Sequence, residues 1–360
     1  MQIGLVGLQF SGKTTLFNTL SGNGPSTSQS QKEEASIEVV KVPDERLNEL
    51  TKIFNPKKQV NATIEVFDLP GLKMADDNKV KITSTFLNGA RNNDSLFYVV
   101  RGFKDDSVAH PMNSIDPLRD IEFLEVEFLL SDLAFLETRL EKLKRDVLKT
   151  KDEKMKRELP LIEKCLAHCE KELPLRTLHL DDNETKILSG YQLLTIKQLA
   201  IAINYDENSI PKVDAEIDRL KTKLVKSHST IIPFFAKIEL ELSQMSEEDR
   251  GTFMQDYGIK ESALSKILRT SYDMLGLQSF FTVGEDECRA WTIKKNYTAP
   301  QAAGAIHTDF FNRFIRAEVV HYNDFLKHGS FAKCKEAGAW RLEGKEYIVK
   351  DGDILNIRHS

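Results

Sequence analysis

The chain has 360 residues, which at roughly 150 residues per domain predicts two or three domains. Hydrophobic residues make up 41% and charged residues 29%, enough to bury a core and too balanced for wholesale disorder. The net charge of -5 argues against a globally basic nucleic-acid binder, and no run approaches the ~20 apolar residues of a membrane span. Neither a membrane partner nor sequence-specific DNA binding is expected. The first apolar run, 3–6, leads straight into a glycine motif without a basic leader, so no secretory signal is expected. Cys165, Cys169, Cys288 and Cys334 form no C-x-x-C pair, which points to a reducing, cytoplasmic location. Cys165 and Cys169 read as small apolar core residues.

Residues 3–6, 62–68 and 95–100 are short, β-branched-rich runs, the pattern of buried parallel strands, with a helix over 13–20. From about 119 the pattern changes. Val126, Leu129, Leu133, Leu136, Leu140, Leu143 and Val147 recur at three- and four-residue steps, a coiled-coil seam. After a polar break at 150–154, Leu159, Ile162, Leu166, Cys169 and Leu173 form a second seam. Two such helices predict an antiparallel hairpin.

Strands over 199–203 and 230–235 then resume the α/β pattern, so the hairpin interrupts one domain. Helices over 247–255 and 261–275 follow, with Gly276 as a stop. The tail predicts strands over 279–283, 288–293, 315–320, 346–350 and 354–358, and a helix over 299–314. Asp351-Gly352-Asp353 reads as a turn between the last two strands. The expected division is 1–118 with 186–277 as a nucleoside-triphosphatase domain, 119–185 as a helical insertion, and 278–360 as a small C-terminal domain. Residues 24–32, rich in Ser and Gln, read as mobile.

Gly7-Leu8-Gln9-Phe10-Ser11-Gly12-Lys13-Thr14 satisfies G-x-x-x-x-G-K-S/T, between a strand and a helix. In such a P-loop, backbone N–H groups and the helix N-terminus converge on phosphate oxygens. Lys13 is expected to reach the β- and γ-phosphates, and Thr14 to ligate Mg²⁺. Asp68-Leu69-Pro70-Gly71 ends the strand over 62–68. Asp68 can hold the Mg²⁺ shell, and Gly71 can offer its N–H to the γ-phosphate, as in a GTPase-type switch. Leu72 follows where many Ras-like enzymes carry a water-orienting Gln, so something else must position the attacking water.

Guanine-specific members of this fold use Asn-Lys-x-Asp after a strand. Here the run is Asn204-Tyr205-Asp206-Glu207, with no lysine and a longer acid in the fourth place. Weak guanine preference follows, and adenine becomes the expected base.

Taken together, these motifs resemble the YchF or Obg-like ATPase family. The same likeness extends to Ala236-Lys237-Ile238-Glu239, to Arg289-Ala290-Trp291-Thr292-Ile293, to Ala299-Pro300-Gln301-Ala302-Ala303-Gly304 and to Ile306-His307-Thr308-Asp309-Phe310. The resemblance implies an α/β fold, a GTPase-like P-loop domain with an inserted antiparallel coiled-coil hairpin and a C-terminal β-grasp (TGS) domain. It also implies a Mg²⁺-dependent ATPase preferring ATP over GTP, bound to ribosomes and regulating translation or a stress response. Thr15, Asn204, Tyr205, Glu207, Ala236 and Lys237 join the P-loop and Gly71 as nucleotide-binding residues on that likeness, and His110, before Asp116-Pro117-Leu118-Arg119-Asp120-Ile121-Glu122, is the implied catalytic histidine.

Two departures stand out. Gln9-Phe10-Ser11 replaces the family's Pro-Asn-Val, and without that asparagine potassium activation is in doubt. The family's Cys-Thr-Ile-Glu-Pro run is missing from 31–40, leaving Thr27 and Ser36 as unassigned candidates for the switch-I magnesium ligand. A conventional GTP-binding switch, or a nucleotide-bound adaptor with negligible turnover, are the alternative readings.

Overall fold

The computed structural model describes residues 1–22, 36–72, 82–149, 152–259 and 261–360. The segment expected to be mobile, and Thr27, lie outside the described residues. Among the described residues seven strands precede the C-terminal region: β1 (Gln2–Val6), β2 (Ser36–Val42), β3 (Lys58–Val60), β4 (Ala62–Asp68), β5 (Ser95–Arg101), β6 (Gln198–Asn204) and β7 (Thr230–Phe234). Five follow: β8 (Leu277–Thr282), β9 (Glu287–Lys294), β10 (Phe314–His321), β11 (Arg341–Glu343) and β12 (Asp353–His359). They form two six-stranded sheets, ordered β2-β4-β1-β5-β6-β7 and β11-β10-β12-β8-β9-β3. The chain divides into two compact units, Met1–Glu38 with Glu65–Ile267, and Val39–Ile64 with Leu268–Ser360.

In the first unit β1 pairs in parallel with both β4 and β5, and β5, β6 and β7 continue in parallel. All seven residues of β5 are buried, as expected of a central strand covered on both faces. Parallel pairing brings the loops after β1, β4, β5, β6 and β7 out at one edge, where ligands bind in open α/β sheets.

The helix Pro117–Val147 serves two cores. Ile121, Leu124 and Phe128 pack in the sheet cluster. Leu129, Leu136, Leu140 and Leu143 pack against Leu161, Ile162, Cys165 and Cys169 of the helix Glu153–Cys169. The expected seam therefore starts at Leu129. Val126 is 52% exposed, because the first turns of the helix point their apolar stripe at the sheet instead. Cys165 and Cys169 are interior residues of the hairpin, and burial pushes both thiols up. Buried Asp132 accepts from the Leu194 and Thr195 N–H groups at 2.9 and 2.7 Å, tying the hairpin to the segment that enters β6.

The second unit has the mixed sheet of a β-grasp fold. β8 and β9 are antiparallel, β12 runs parallel to β8, and β10 is antiparallel to both β12 and β11. The helix Ala299–Ile306 covers it with the buried small residues Ala299, Ala302 and Ala303, which let it lie close to Phe280, Val319 and Leu355. β3 joins this sheet by pairing with β9.

Two expectations are corrected and one element is added. Residues 346–350 form no strand. Asp353 accepts from both Tyr347 Oη and the Lys350 N–H, at 2.7 and 2.9 Å, which bends the segment into a turn. The helix expected over 299–314 breaks at His307, with φ of -159°, and a second helix, Thr308–Asn312, starts where His307 Nδ1 accepts the Asp309 N–H. A helix not anticipated, Ala236–Gln244, follows β7. Among the described residues no helix is long and apolar enough to cross a membrane.

Candidate functional site

Five loops at the C-terminal edge of the parallel strands carry the candidate residues. The loop after β1 holds Gly7 to Thr14. Its first turn is closed by the Ser11 N–H on Leu8 O at 3.3 Å, with Phe10 at φ 66° in a place that suits glycine or asparagine. Gly12 has φ 92° and heads the helix Lys13–Leu20. A Cβ there would collide with Asn204 Nδ2, and one at Gly7 would collide with Val99 O, so both close approaches require glycine. Thr14 and Thr15 are exposed at the helix start, and Gln9 is half-buried.

The loop after β4 is stitched to this one through the backbone. The Gln9 N–H donates to Leu72 O at 2.9 Å and the Leu72 N–H to Gly7 O at 3.1 Å. Leu72 turns its side chain into the sheet core, so packing is its role. Asp68 is the meeting point. Lys13 Nζ donates to Asp68 and to Leu69 O, and Thr14 Oγ1 donates to Asp68 Oδ2 at 3.0 Å. Burial pushes the Lys13 ammonium down, and the Asp68 carboxylate opposes that shift. The Thr14 hydroxyl and the Asp68 carboxylate are adjacent hard oxygen donors, a set that fits Mg²⁺.

The loops after β6 and β7 define the opposite end. Asn204 is buried and its amide is engaged at both ends, with Nδ2 donating to Ser11 O at 3.2 Å and Oδ1 accepting the Ala236 N–H at 3.1 Å. It braces the phosphate loop against the start of the following helix. Tyr205 faces away from this edge. The residue is 8% exposed and its ring lies in the sheet core, leaving its backbone at the site. Glu207 is exposed at the first turn after β6, and Lys237 is exposed beside half-buried Ala236.

His110 lies in the loop after β5 and is buried. It lines a narrow crevice with Gln9 and Ser11 of the phosphate loop and with Arg101 and Asp120. Its Nδ1 accepts the Met112 N–H at 3.1 Å, and Nε2 faces Asp120 Oδ2 at 3.0 Å. Burial lowers its pKa, aided by Arg119 and Arg101 and opposed by Asp120. The loop is held by two arginines: Arg101 donates to the carbonyls of Phe103, Asp105 and Val108, and Arg119 to those of Met112 and Ser114. Asp120, inside the Asp116–Glu122 stretch, and Arg101 carry no site role that the sequence alone assigns. Asp120 had one visible signal, an acid on the inward stripe of an amphipathic helix start, beside Ile121 and Leu124.

Residues 2–131 match a family model described as a 50S ribosome-binding GTPase, and residues 277–360 match the YchF-GTPase C-terminal family, described as a protein of unknown function. The chain is 36% identical over 361 residues to a protein of Bacillus subtilis named ribosome-binding ATPase YchF, covering 99% of this chain and 98% of the relative. A Haemophilus ducreyi protein of the same name is 38% identical over 359 residues, with 99% and 98% coverage. Among solved structures, the YchF GTPase of Schizosaccharomyces pombe superposes with a TM-score of 0.87 at 32% identity, over 99% of this chain and 97% of that one. A GTP binding protein of Pyrococcus horikoshii, at TM-score 0.59 and 21% identity over the full length of both chains, shares the fold. Identity at that level with the bacterial proteins, from end to end of both chains and with the phosphate loop and its partner loops in place, has one meaning: this chain belongs to the YchF family.

Proposed function

We propose that the chain is a Mg²⁺-dependent P-loop ATPase, preferring ATP over GTP, that acts in the cytoplasm as a ribosome-bound regulator of translation. The proposed parts are residues 1–118 with 186–277 as the hydrolase, 119–185 as the helical insertion, and 278–360 as the TGS domain. Lys13 and the backbone N–H groups of Gly7 to Thr15 and of Gly71 take the phosphates. Thr14 and Asp68 would hold Mg²⁺, which when bound supplies charge neutralisation at the phosphates. Asn204, Tyr205 (through its backbone), Glu207, Ala236 and Lys237 flank the base. His110 serves the attacking water.

The observation that carries the base preference is the state of the 204–207 run. Asn204 spends both ends of its amide on Ser11 and Ala236, Tyr205 points into the core, and the fourth place holds exposed Glu207. A guanine-reading pair of lysine stem and short carboxylate is not assembled there. Ribosome association is supported by the names of the bacterial relatives.

Parallel titration of the purified protein with fluorescent ATP and GTP analogues in Mg²⁺ tests the reading. Tighter ATP binding is expected, and equal affinity or a GTP preference would overturn it. Lys13→Ala should abolish hydrolysis while the fold persists, since the charge facing the β- and γ-phosphates is lost.

A further inference from the structure

The geometry assigns Asp120 as the positioning residue for His110: it fixes the imidazole in the Nε2–H tautomer, so that Nδ1 is the nitrogen that serves the attacking water. This rests on the reading of His110 as the residue that acts on water. The tautomer follows from the hydrogen bonds alone. A backbone N–H can only donate, so Met112 requires a lone pair on His110 Nδ1, and the proton must sit on Nε2, where it is donated to Asp120 Oδ2.

The two contacts differ in what it takes to break them. The Met112 bond spans two residues of a single loop. The Asp120 bond joins two buried side chains and is charge-assisted. Asp120 is itself held from its other oxygen, which accepts from Arg119 Nε at 3.0 Å and Arg119 Nη2 at 2.7 Å. A small movement of the loop therefore frees Nδ1 and leaves Nε2 anchored. The walls of the crevice that His110 lines include the buried Ser11 hydroxyl and Arg101 Nη1, neither with a hydrogen-bond partner among the described residues. An imidazole oriented by a carboxylate on one nitrogen, with the other facing the reacting group, is the logic of hydrolytic triads.

The charged groups facing His110 are Asp120 and Arg119 on the helix Pro117–Val147 and Arg101 on β5. Removing only the negative one disfavours the imidazolium, which sets the sign of a pH test. Steady-state ATP hydrolysis is measured for the parent, Asp120→Asn, Asp120→Glu, His110→Ala and the His110→Ala/Asp120→Asn double variant, with thermal melts to confirm folding. Asp120→Asn should lower kcat at least tenfold with KM within twofold, since an amide N–H facing Nε2 favours the wrong tautomer. Its acid limb should move to lower pH, Asp120→Glu should recover part of the rate, and the double variant should be no slower than His110→Ala. Parental kcat in folded Asp120→Asn, with His110→Ala inactive, would overturn the assignment while leaving the role of His110 standing. An equal fractional loss in the His110→Ala background would also overturn it, by showing a purely structural role. Parental turnover in His110→Ala would remove both.

Discussion

Asn204→Ala tests whether this residue braces the site or reads the base. The side chain makes two hydrogen bonds, a buried one to Ser11 O at 3.2 Å and a partly buried one from the Ala236 N–H at 3.1 Å. Each is worth about 0.5–1.5 kcal/mol net, and truncation leaves a carbonyl and an N–H unpaired, so the loss should be about 1–3 kcal/mol. For a unit of roughly 240 residues that lowers the unfolding midpoint by about 2–4 °C per kcal/mol. Both tethered loops carry nucleotide-binding residues, so ATP and GTP affinity should fall by the same factor. Asn204→Asp should be no better, because a carboxylate can accept from Ala236 but sets a negative charge against Ser11 O. Urea unfolding and parallel nucleotide titrations measure both effects. A stability loss under about 0.5 kcal/mol, the range of an ordinary surface substitution, or an affinity loss confined to one base, would refute the brace.

Phe10→Gly should raise stability by roughly 0.5–1 kcal/mol. Relief of the left-handed backbone is worth about 1–2 kcal/mol, against about 0.4–1 kcal/mol for the freer unfolded chain. A thermal melt at or below the parent's would show that Phe10 is not strained. With Phe10 in place of the family's asparagine, turnover should be equal in potassium and sodium chloride, and selective potassium stimulation would contradict that. The pKa of His110 lies below its ordinary 6.5 in the folded chain, so the unfolded chain takes up the proton first as pH falls. Its contribution to stability is thus full above about 6.5 and declines as pH drops through the folded value. His110→Gln should flatten that part of the stability–pH curve, and an unchanged slope would count against the buried neutral ring. Finally, Lys149, Lys151, Lys154 and Lys156 changed to Glu should leave ATP hydrolysis by the isolated protein intact and weaken co-sedimentation with ribosomes, whose parental binding should fall steeply with salt. Lys151 is outside the described residues, and Lys156 pairs with Glu153 at 2.7 Å. Unchanged sedimentation would move the contact elsewhere.

The phosphate loop was legible because its chemistry needs glycines and a lysine at fixed spacing between a strand and a helix. The central strands were legible because burial on both faces leaves continuous β-branched runs. What escaped the sequence depends on partners distant in the chain. β3 is a three-residue strand, Lys-Gln-Val, with no period to betray that it pairs with β9. The helix Pro117–Val147 reads as one heptad pattern, yet it turns different faces to the sheet and to the hairpin. Asn204 bonds to backbone atoms, which no residue pattern advertises, and Tyr205 looks like a base-site residue by position although its ring packs inward. A consequence follows for redesign. Tyr205→Lys, which sequence logic offers for rebuilding guanine recognition, would drive an ammonium into the sheet core, so Glu207→Asp is the substitution that tests the acid alone.

The most direct test of the central claim is a competition assay: equimolar ATP and GTP with the full-length protein in Mg²⁺, following release of both diphosphates from one reaction. The account predicts that ADP accumulates faster than GDP from the first turnovers, and that Lys13→Ala produces neither. GDP formed at the same or a higher rate would contradict it and return the protein to the conventional GTPases of its fold.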